Sequence, residues 1–147
     1  MANRSPEQDL INDFVEALYK AENSEYGIDK LVNSNCRAKK FADVEFFSRS
    51  GNHWVIEAKS NDSKDAHNSV HKIFGELLKE TGRTERDKCY FGILIPINAI
   101  QFYSRLFRQI NRDKFIQFGA LIPIKWVFAC DSSEVKLLTW SELYDTY

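Results

Sequence analysis

The sequence predicts an α/β domain in which helices cover both faces of a mixed β-sheet, as a three-layer sandwich. Apolar stripes at helical spacing alternate with short β-rich runs along the 147 residues. One β-rich pair has the form of a hairpin, and a later apolar run has the length and composition of a strand buried on both faces. With 44% hydrophobic residues, the chain suits one packed core, so we expect a single domain over residues 1–147.

The first element is an amphipathic helix. Ser5 is a suitable N-cap and Pro6 suits the first helical position. The apolar residues that follow recur at helical spacing and predict a helix over 6–21, with a buried stripe of Leu10, Ile11, Phe14, Val15 and Leu18. Residues 23–40 contain several helix and strand breakers, and we expect an irregular connection there with one helical turn.

A hairpin and a second helix come next. The β-rich runs 41–47 and 53–59 flank a polar loop that contains Gly51, which predicts two antiparallel strands. A second helical stripe then runs from Ala66 to Leu78 and stops before Gly82.

The second half of the chain predicts further strands around a third helix. Residues 89–95 form a continuous apolar run, and Asn98 is a suitable cap for a helix over 100–110. The heptapeptides at 91–97 and 118–124 differ at a single position, which suggests two parallel central strands joined by that helix. We expect one or two strands within 115–130, broken near Pro123, and a last strand over 135–140.

Composition limits the functional classes. The net charge of −1 provides no general attraction to a polyanion, so any nucleic-acid binding must come from local basic clusters. The three cysteines form no Cys-x-x-Cys pair, which argues against a disulfide framework or a zinc knuckle. The sequence has no transmembrane-length apolar run and no signal-peptide pattern, so we expect no membrane partner and a cytoplasmic location.

The hairpin carries the pattern with the clearest chemistry, which is Asp43 followed by Glu57-Ala58-Lys59. Side chains alternate along a strand, so Glu57 and Lys59 share one face at a separation of about 6.6 Å along the chain. The residues of the opposite face are apolar and can pack on a helix: Trp54, Ile56 and Ala58. A carboxylate and an ammonium beside a buried face carry a desolvation cost that usually indicates a partner or a function.

Asp43 lies where the neighbouring strand begins and can supply a second carboxylate across the hairpin. Two carboxylates with a backbone carbonyl and waters form an oxygen set that suits Mg²⁺. Such a metal polarises a phosphate and lowers the pKa of a bound water, and Lys59 can orient that water or offset developing charge. The alternative is an ordinary charged pair on an exposed strand.

These residues resemble the motif of the PD-(D/E)xK nuclease superfamily, which has the restriction-endonuclease-like fold. Ala42-Asp43 matches its first half, with alanine in place of the usual proline, and Glu57-Ala58-Lys59 matches its second half. The resemblance implies metal-dependent hydrolysis of DNA phosphodiester bonds, with Mg²⁺ as cofactor and Mn²⁺ as a substitute. It implies Asp43, Glu57 and the Ala58 carbonyl as ligands and Lys59 as the catalytic lysine.

The same resemblance suggests a further acidic residue on the first helix. Members of the superfamily often place a glutamate there that reaches the metal through water. Glu7 is the candidate, because Leu10, Ile11 and Phe14 follow it at helical spacing and so put it on the buried stripe. The alternative is a carboxylate that stabilises the helix N-terminus through the helix dipole.

Candidate contacts to DNA come from two regions. Lys39 and Lys40 precede Asp43, and a second group lies in and before the second helix: Lys64, His67, His71 and Lys72. Basic residues of this kind bind phosphates without reading sequence. Solvated positions on a helix surface are the alternative for the second group.

Two functions therefore stand as expectations. The first is a small Mg²⁺-dependent DNA nuclease, for which a homodimer is one expectation because the chain has little surface to spare for a separate specificity domain. The second is a non-catalytic binding or assembly module on the same fold, such as a defence-system or repair-complex subunit, which the near-neutral charge favours.

Overall fold

A computed structural model describes residues 6–38, 42–60, 66–83 and 88–146, with the side chains of 66–71 outside that description. The helices are α1 (Pro6–Lys20), α2 (Ala66–Thr81), α3 (Ile100–Phe107), α4 (Arg112–Leu121) and α5 (Trp140–Asp145). The strands are β1 (Ile28–Asn33), β2 (Val44–Ser48), β3 (His53–Ala58), β4 (Tyr90–Pro96), β5 (Ile124–Cys130) and β6 (Val135–Leu138).

The strands form one mixed sheet in the order β1-β2-β3-β4-β5-β6. The centre is parallel, because β3 pairs with β4 and β4 pairs with β5 in the same direction. Antiparallel pairs extend the sheet on both sides, with β1 and β2 on one and β6 on the other. Helices pack against both faces, which confirms the predicted α/β three-layer sandwich with a mixed sheet.

Each face of the sheet has its own core. On one face, the apolar stripe of α1 packs on alternate strand residues in a cluster that includes Leu10, Ile11, Phe14, Leu18, Trp54, Ile56, Ala58, Leu94 and Phe128. On the other face, α2 to α5 pack on the intervening residues in a cluster that includes Ile73, Leu77, Ile93, Tyr103, Phe107, Phe115, Val127 and Trp140. The predicted packing of Trp54, Ile56 and Ala58 on a helix is therefore confirmed, and that helix is α1.

The connection after α1 is more regular than the sequence predicts. Residues 28–33 form the edge strand β1, which pairs with β2 through two register irregularities, so the expected helical turn is wrong. Exposure alternates only over residues 30–33, after the first irregularity, because one face there lies on the core and the other faces solvent. Asn33 also donates its side-chain amide to the Ala42 carbonyl at 2.7 Å, which ties the end of β1 to the start of the hairpin.

The predicted strand over 118–124 is wrong, because residues 118–121 complete α4 and residues 122–123 form the turn that follows it. Asn111 caps this helix by accepting hydrogen bonds from the N–H groups of Asp113 and Lys114. Gly119 lets the helix approach Trp140, since any side chain there would collide with the indole ring. The parallel partner of β4 is β5, which begins only at Ile124.

The predicted cap at Asn98 is also wrong. A 3₁₀ turn at Ile97–Ala99 leads into α3, and the N-cap residue is Ala99, which makes no side-chain cap hydrogen bond. In the part of the chain that the structure describes, no helix combines the length and the apolar character needed to cross a membrane.

Candidate active site

The antiparallel hairpin places Asp43 opposite Glu57. Val44 pairs with Ile56, so the next pair outward joins Asp43 to Glu57 on the face that looks away from α1. The two carboxyl groups form a hydrogen bond with each other, and Asp43 Oδ2 accepts a second one from the Ala58 N–H at 2.9 Å. The sequence-predicted pair therefore lies within direct contact distance at the carboxyl end of β3.

Burial makes this pair of acids electrostatically unusual. Desolvation raises the pKa of Asp43, although the hydrogen bonds from Ala58 and Glu57 oppose the shift. Desolvation and the negative charges of Asp43, Glu76 and Glu80 raise the pKa of Glu57 to about 10. Near neutral pH and without a cation, Glu57 therefore holds a proton and donates it to the Asp43 carboxylate.

Lys59 is held beside these acids by α2. Its Nζ lies 2.7 Å from Glu76 Oε2, and its side chain is only 11% exposed. The backbone N–H of Lys59 donates to the Leu94 carbonyl at 2.8 Å, which continues the β3–β4 pairing past the end of the strand. Glu76 thus fixes the ammonium group of Lys59, and the sheet fixes its backbone.

Glu7 reaches the site from the other layer of the sandwich. It lies in the first turn of α1, and its carboxylate accepts a hydrogen bond from the Ser60 backbone N–H. Desolvation raises its pKa, Lys59 lowers it, and Asp43 and Glu76 raise it. Glu7 therefore lies among the charges of Asp43, Lys59 and Glu76, and its role at the site stays a prediction beside the helix-dipole alternative.

The segment after β3 is anchored from both layers. The Ser60 N–H donates a hydrogen bond to the Glu7 carboxylate, and the Ser60 carbonyl accepts one from the Tyr103 hydroxyl at 2.7 Å. Tyr103 is buried in α3. This anchoring holds the chain at Lys59 between α1 and α3.

Glu76 is the site residue that the sequence analysis missed. It lies between Ile73 and Leu77, both buried under the sheet, and therefore on the border of the apolar stripe of α2. That border position is the signal that could have identified it, because the helix follows the acid-x-lysine strand. Glu80, one turn further, forms an ion pair with Arg83 at 3.0 Å and adds negative charge near Glu57.

One of the six residues predicted to contact DNA, Lys72, has a side chain within the described part of the chain. Lys39, Lys40 and Lys64 lie outside the described residues. His67 and His71 lie on α2, and their side chains are outside the description. Lys72 is exposed and lies one helical turn before Glu76, on the same side of α2.

The oxygen donors of the acid pair limit which metal ion the site could hold. Within residues 6–38, 42–60, 66–83 and 88–146, no three side chains of His, Cys, Asp or Glu are arranged to hold a metal ion. The Asp43 and Glu57 carboxyls are nevertheless hard oxygen donors in contact with each other. Mg²⁺ keeps several waters and needs only one or two protein carboxylates, so this pair fits Mg²⁺ better than a metal that requires a protein cage.

Comparison with known proteins adds no relative. No protein-family model, curated protein or solved structure matches this chain.

Proposed function

We propose that this chain is a Mg²⁺-dependent DNA nuclease whose site consists of Asp43, Glu57 and Lys59. The observation that supports it best is the contact between two partly buried carboxyl groups beside a lysine that is itself ion-paired. Desolvated acids in contact are unfavourable for folding, so their presence favours a site that takes up a cation. We place this activity in the cytoplasm, as the sequence predicts.

In this proposal, Asp43, Glu57 and the Ala58 carbonyl would hold the cation, with Mn²⁺ as a substitute for Mg²⁺. The bound ion would polarise the scissile phosphate and lower the pKa of an attacking water. Loss of the proton that Glu57 now shares with Asp43 accompanies binding, because a ligand carboxylate must be ionised.

Lys59 orients the attacking water or offsets negative charge as the phosphodiester bond breaks. Glu76 acts through Lys59 as a positioning residue, because it holds the ammonium at 2.7 Å. Glu7 positions the same segment through the Ser60 N–H. These residues restrict the motion of the lysine before substrate arrives.

The test is cleavage of supercoiled, linear, branched and single-stranded DNA by purified protein with Mg²⁺, with Mn²⁺ and with EDTA. Asp43→Asn and Lys59→Ala should lose metal-dependent cleavage. Lys136→Ala, which changes a lysine that is 55% exposed on β6, is the matched control and should keep it. Absence of cleavage of every substrate, or undiminished cleavage by both site variants, would sink the proposal.

A non-catalytic binding or assembly module is the second candidate. It is favoured by the net charge of −1 and by the ion pair that already engages Lys59. It predicts that the wild-type protein binds DNA or a protein partner without breaking a phosphodiester bond. Asp43→Asn would then bind as well as the wild type, and the cleavage assay above distinguishes the two.

A further inference from the structure

A second cluster of reactive side chains lies at the opposite end of β3. His53 begins this strand, and its Nε2 lies 2.8 Å from Oε2 of Glu45 on β2. The other ring nitrogen, Nδ1, lies 3.3 Å from the sulfur of Cys89, just before β4. The imidazole therefore bridges a carboxyl group and a thiol.

The surroundings hold the imidazole in place. The Glu45 side chain is only 7% exposed, and the ring of His53 stacks on Phe47 with centroids 4.5 Å apart. His53 itself is 25% exposed, and Cys89 is partly exposed. The carboxyl end of the cluster is thus buried, whereas Cys89 at the thiol end is only partly buried.

The arrangement differs from a metal centre. Metal ligands converge on one point, whereas the carboxyl and the thiol here lie against different nitrogens of one ring. It has instead the order of an activated nucleophile, in which an acid orients a base and the base contacts the nucleophile. Glu45 favours the tautomer with a proton on Nε2, which leaves Nδ1 to accept the thiol proton.

We propose that Glu45, His53 and Cys89 form a reactive-thiol site, at which a small peroxide oxidises Cys89 to a sulfenic acid. The Cys89 thiol gives its proton to His53 Nδ1, and the Glu45 carboxylate stabilises the imidazolium. The thiolate attacks one peroxide oxygen, forming an S–O bond as the O–O bond breaks. The leaving oxygen takes the proton from His53, so that hydrogen peroxide yields one water, with sulfur oxidised and peroxide reduced.

The chain contains its own controls for this chemistry. Cys36 is partly exposed and lies near α1, where its N–H donates to Gln8. Cys130 is buried, and desolvation raises the pKa of its thiol to about 12. Alkylation of the three cysteines can be followed in one sample by peptide mass spectrometry, and protection of Cys130 shows that each variant is folded.

The first experiment measures iodoacetamide alkylation of the full chain near pH 7. A free thiol is only a few per cent ionised there, so Cys89 should react about tenfold faster than Cys36. His53→Gln and Glu45→Gln should remove most of that advantage while Cys130 stays protected. If wild-type Cys89 reacts no faster than Cys36, that result alone overturns the proposed reactive-thiol site.

The second experiment treats the protein with hydrogen peroxide and traps sulfenic acid with dimedone. We expect the adduct on Cys89 of the wild type and much less on Cys89 of His53→Gln. Rapid alkylation of Cys89 without a dimedone adduct would overturn the peroxide assignment. An equal adduct yield in His53→Gln would overturn the role of the histidine.

Discussion

A glutamate lies near each end of strand β3, but one is paired with a histidine and the other with a second acid. At the amino end, the buried Glu45 meets His53, a hydrogen-bonding partner that can also carry a positive charge. At the carboxyl end, Glu57 meets Asp43, a second acid, and burial with further negative charge raises its pKa to about 10. Both carboxyl groups come from the same hairpin, so the difference arises from the partner and not from the strand.

This difference indicates which end of the strand needs an added positive charge. The Glu45 carboxyl is satisfied within the protein, and the chemistry we propose there belongs to the neighbouring thiol. The Asp43 and Glu57 pair has Lys59 nearby, but Glu76 engages that lysine at 2.7 Å. An added cation would therefore stabilise the carboxyl end far more than the amino end.

The largest expected effect is the loss of cleavage on neutralising the acid pair. Asp43→Asn keeps the side-chain size but removes a ligand charge, and we expect cleavage to fall about a thousandfold. Asp113→Asn, at an exposed position in the first turn of α4, is the matched control. Initial rates on the best DNA substrate measure this effect, and equal rates for the two variants would contradict it.

Loss of the ion pair at Lys59 should have a smaller effect. Glu76→Gln leaves the lysine charged but less well positioned, so we expect kcat to fall about tenfold with little change in KM. Glu76→Asp should recover part of the rate, which a purely structural role would not predict. A rise in KM alone, with kcat unchanged, would remove Glu76 from the proposed mechanism.

The acid pair should lower stability in the absence of metal. The pKa of Glu57 is raised in the folded protein, so the unfolded chain releases this proton at a lower pH and stability falls as pH rises between the ordinary value of 4.5 and about 10. Glu57→Gln cannot titrate, and we expect it to stabilise the protein in EDTA by about 1 to 2 kcal/mol at mildly alkaline pH. The gain should shrink near pH 5, as the wild-type unfolded state also becomes protonated.

Urea denaturation at the two pH values measures that gain. The matched control is Glu16→Gln, at a side chain that is 70% exposed on α1. If the stability difference between wild type and Glu57→Gln is independent of pH, the assigned charge state of Glu57 is wrong.

The smallest effect should come from Glu7. Glu7→Gln retains an oxygen that can accept the Ser60 N–H, so we expect only a few-fold loss of cleavage. Glu7→Ala removes that acceptor and should lose more. Equal rates for both variants and the wild type would show that Glu7 stabilises α1 without supporting the site.

Local sequence patterns were sufficient for the hairpin and its acids. Alternation of side chains along β3 separates Glu57 from Trp54 and Ile56, and Asp43 then falls opposite Glu57 by pairing alone. The position of Glu7 could be predicted because helical spacing places it on the buried stripe of α1. These predictions depend on neighbours that lie close in sequence or directly across a turn.

The errors arose where distant packing decides the structure. Residues 115–121 are helical because Phe115 stacks on Trp140 and Gly119 lies against the same indole, a contact that no local pattern contains. Glu76 joins Lys59 only after α2 docks on the sheet. The bridge from Glu45 through His53 to Cys89 likewise depends on the parallel alignment of β4 with β3.

The most direct test of the central claim is calorimetric titration of Mn²⁺ into the wild-type protein and into an Asp43→Asn, Glu57→Gln double variant. We predict a saturable binding isotherm for the wild type that is absent in the double variant, because the carboxyl pair proposed to hold the cation has lost its charge. Identical isotherms for the two proteins, or no binding to the wild type, would contradict the account.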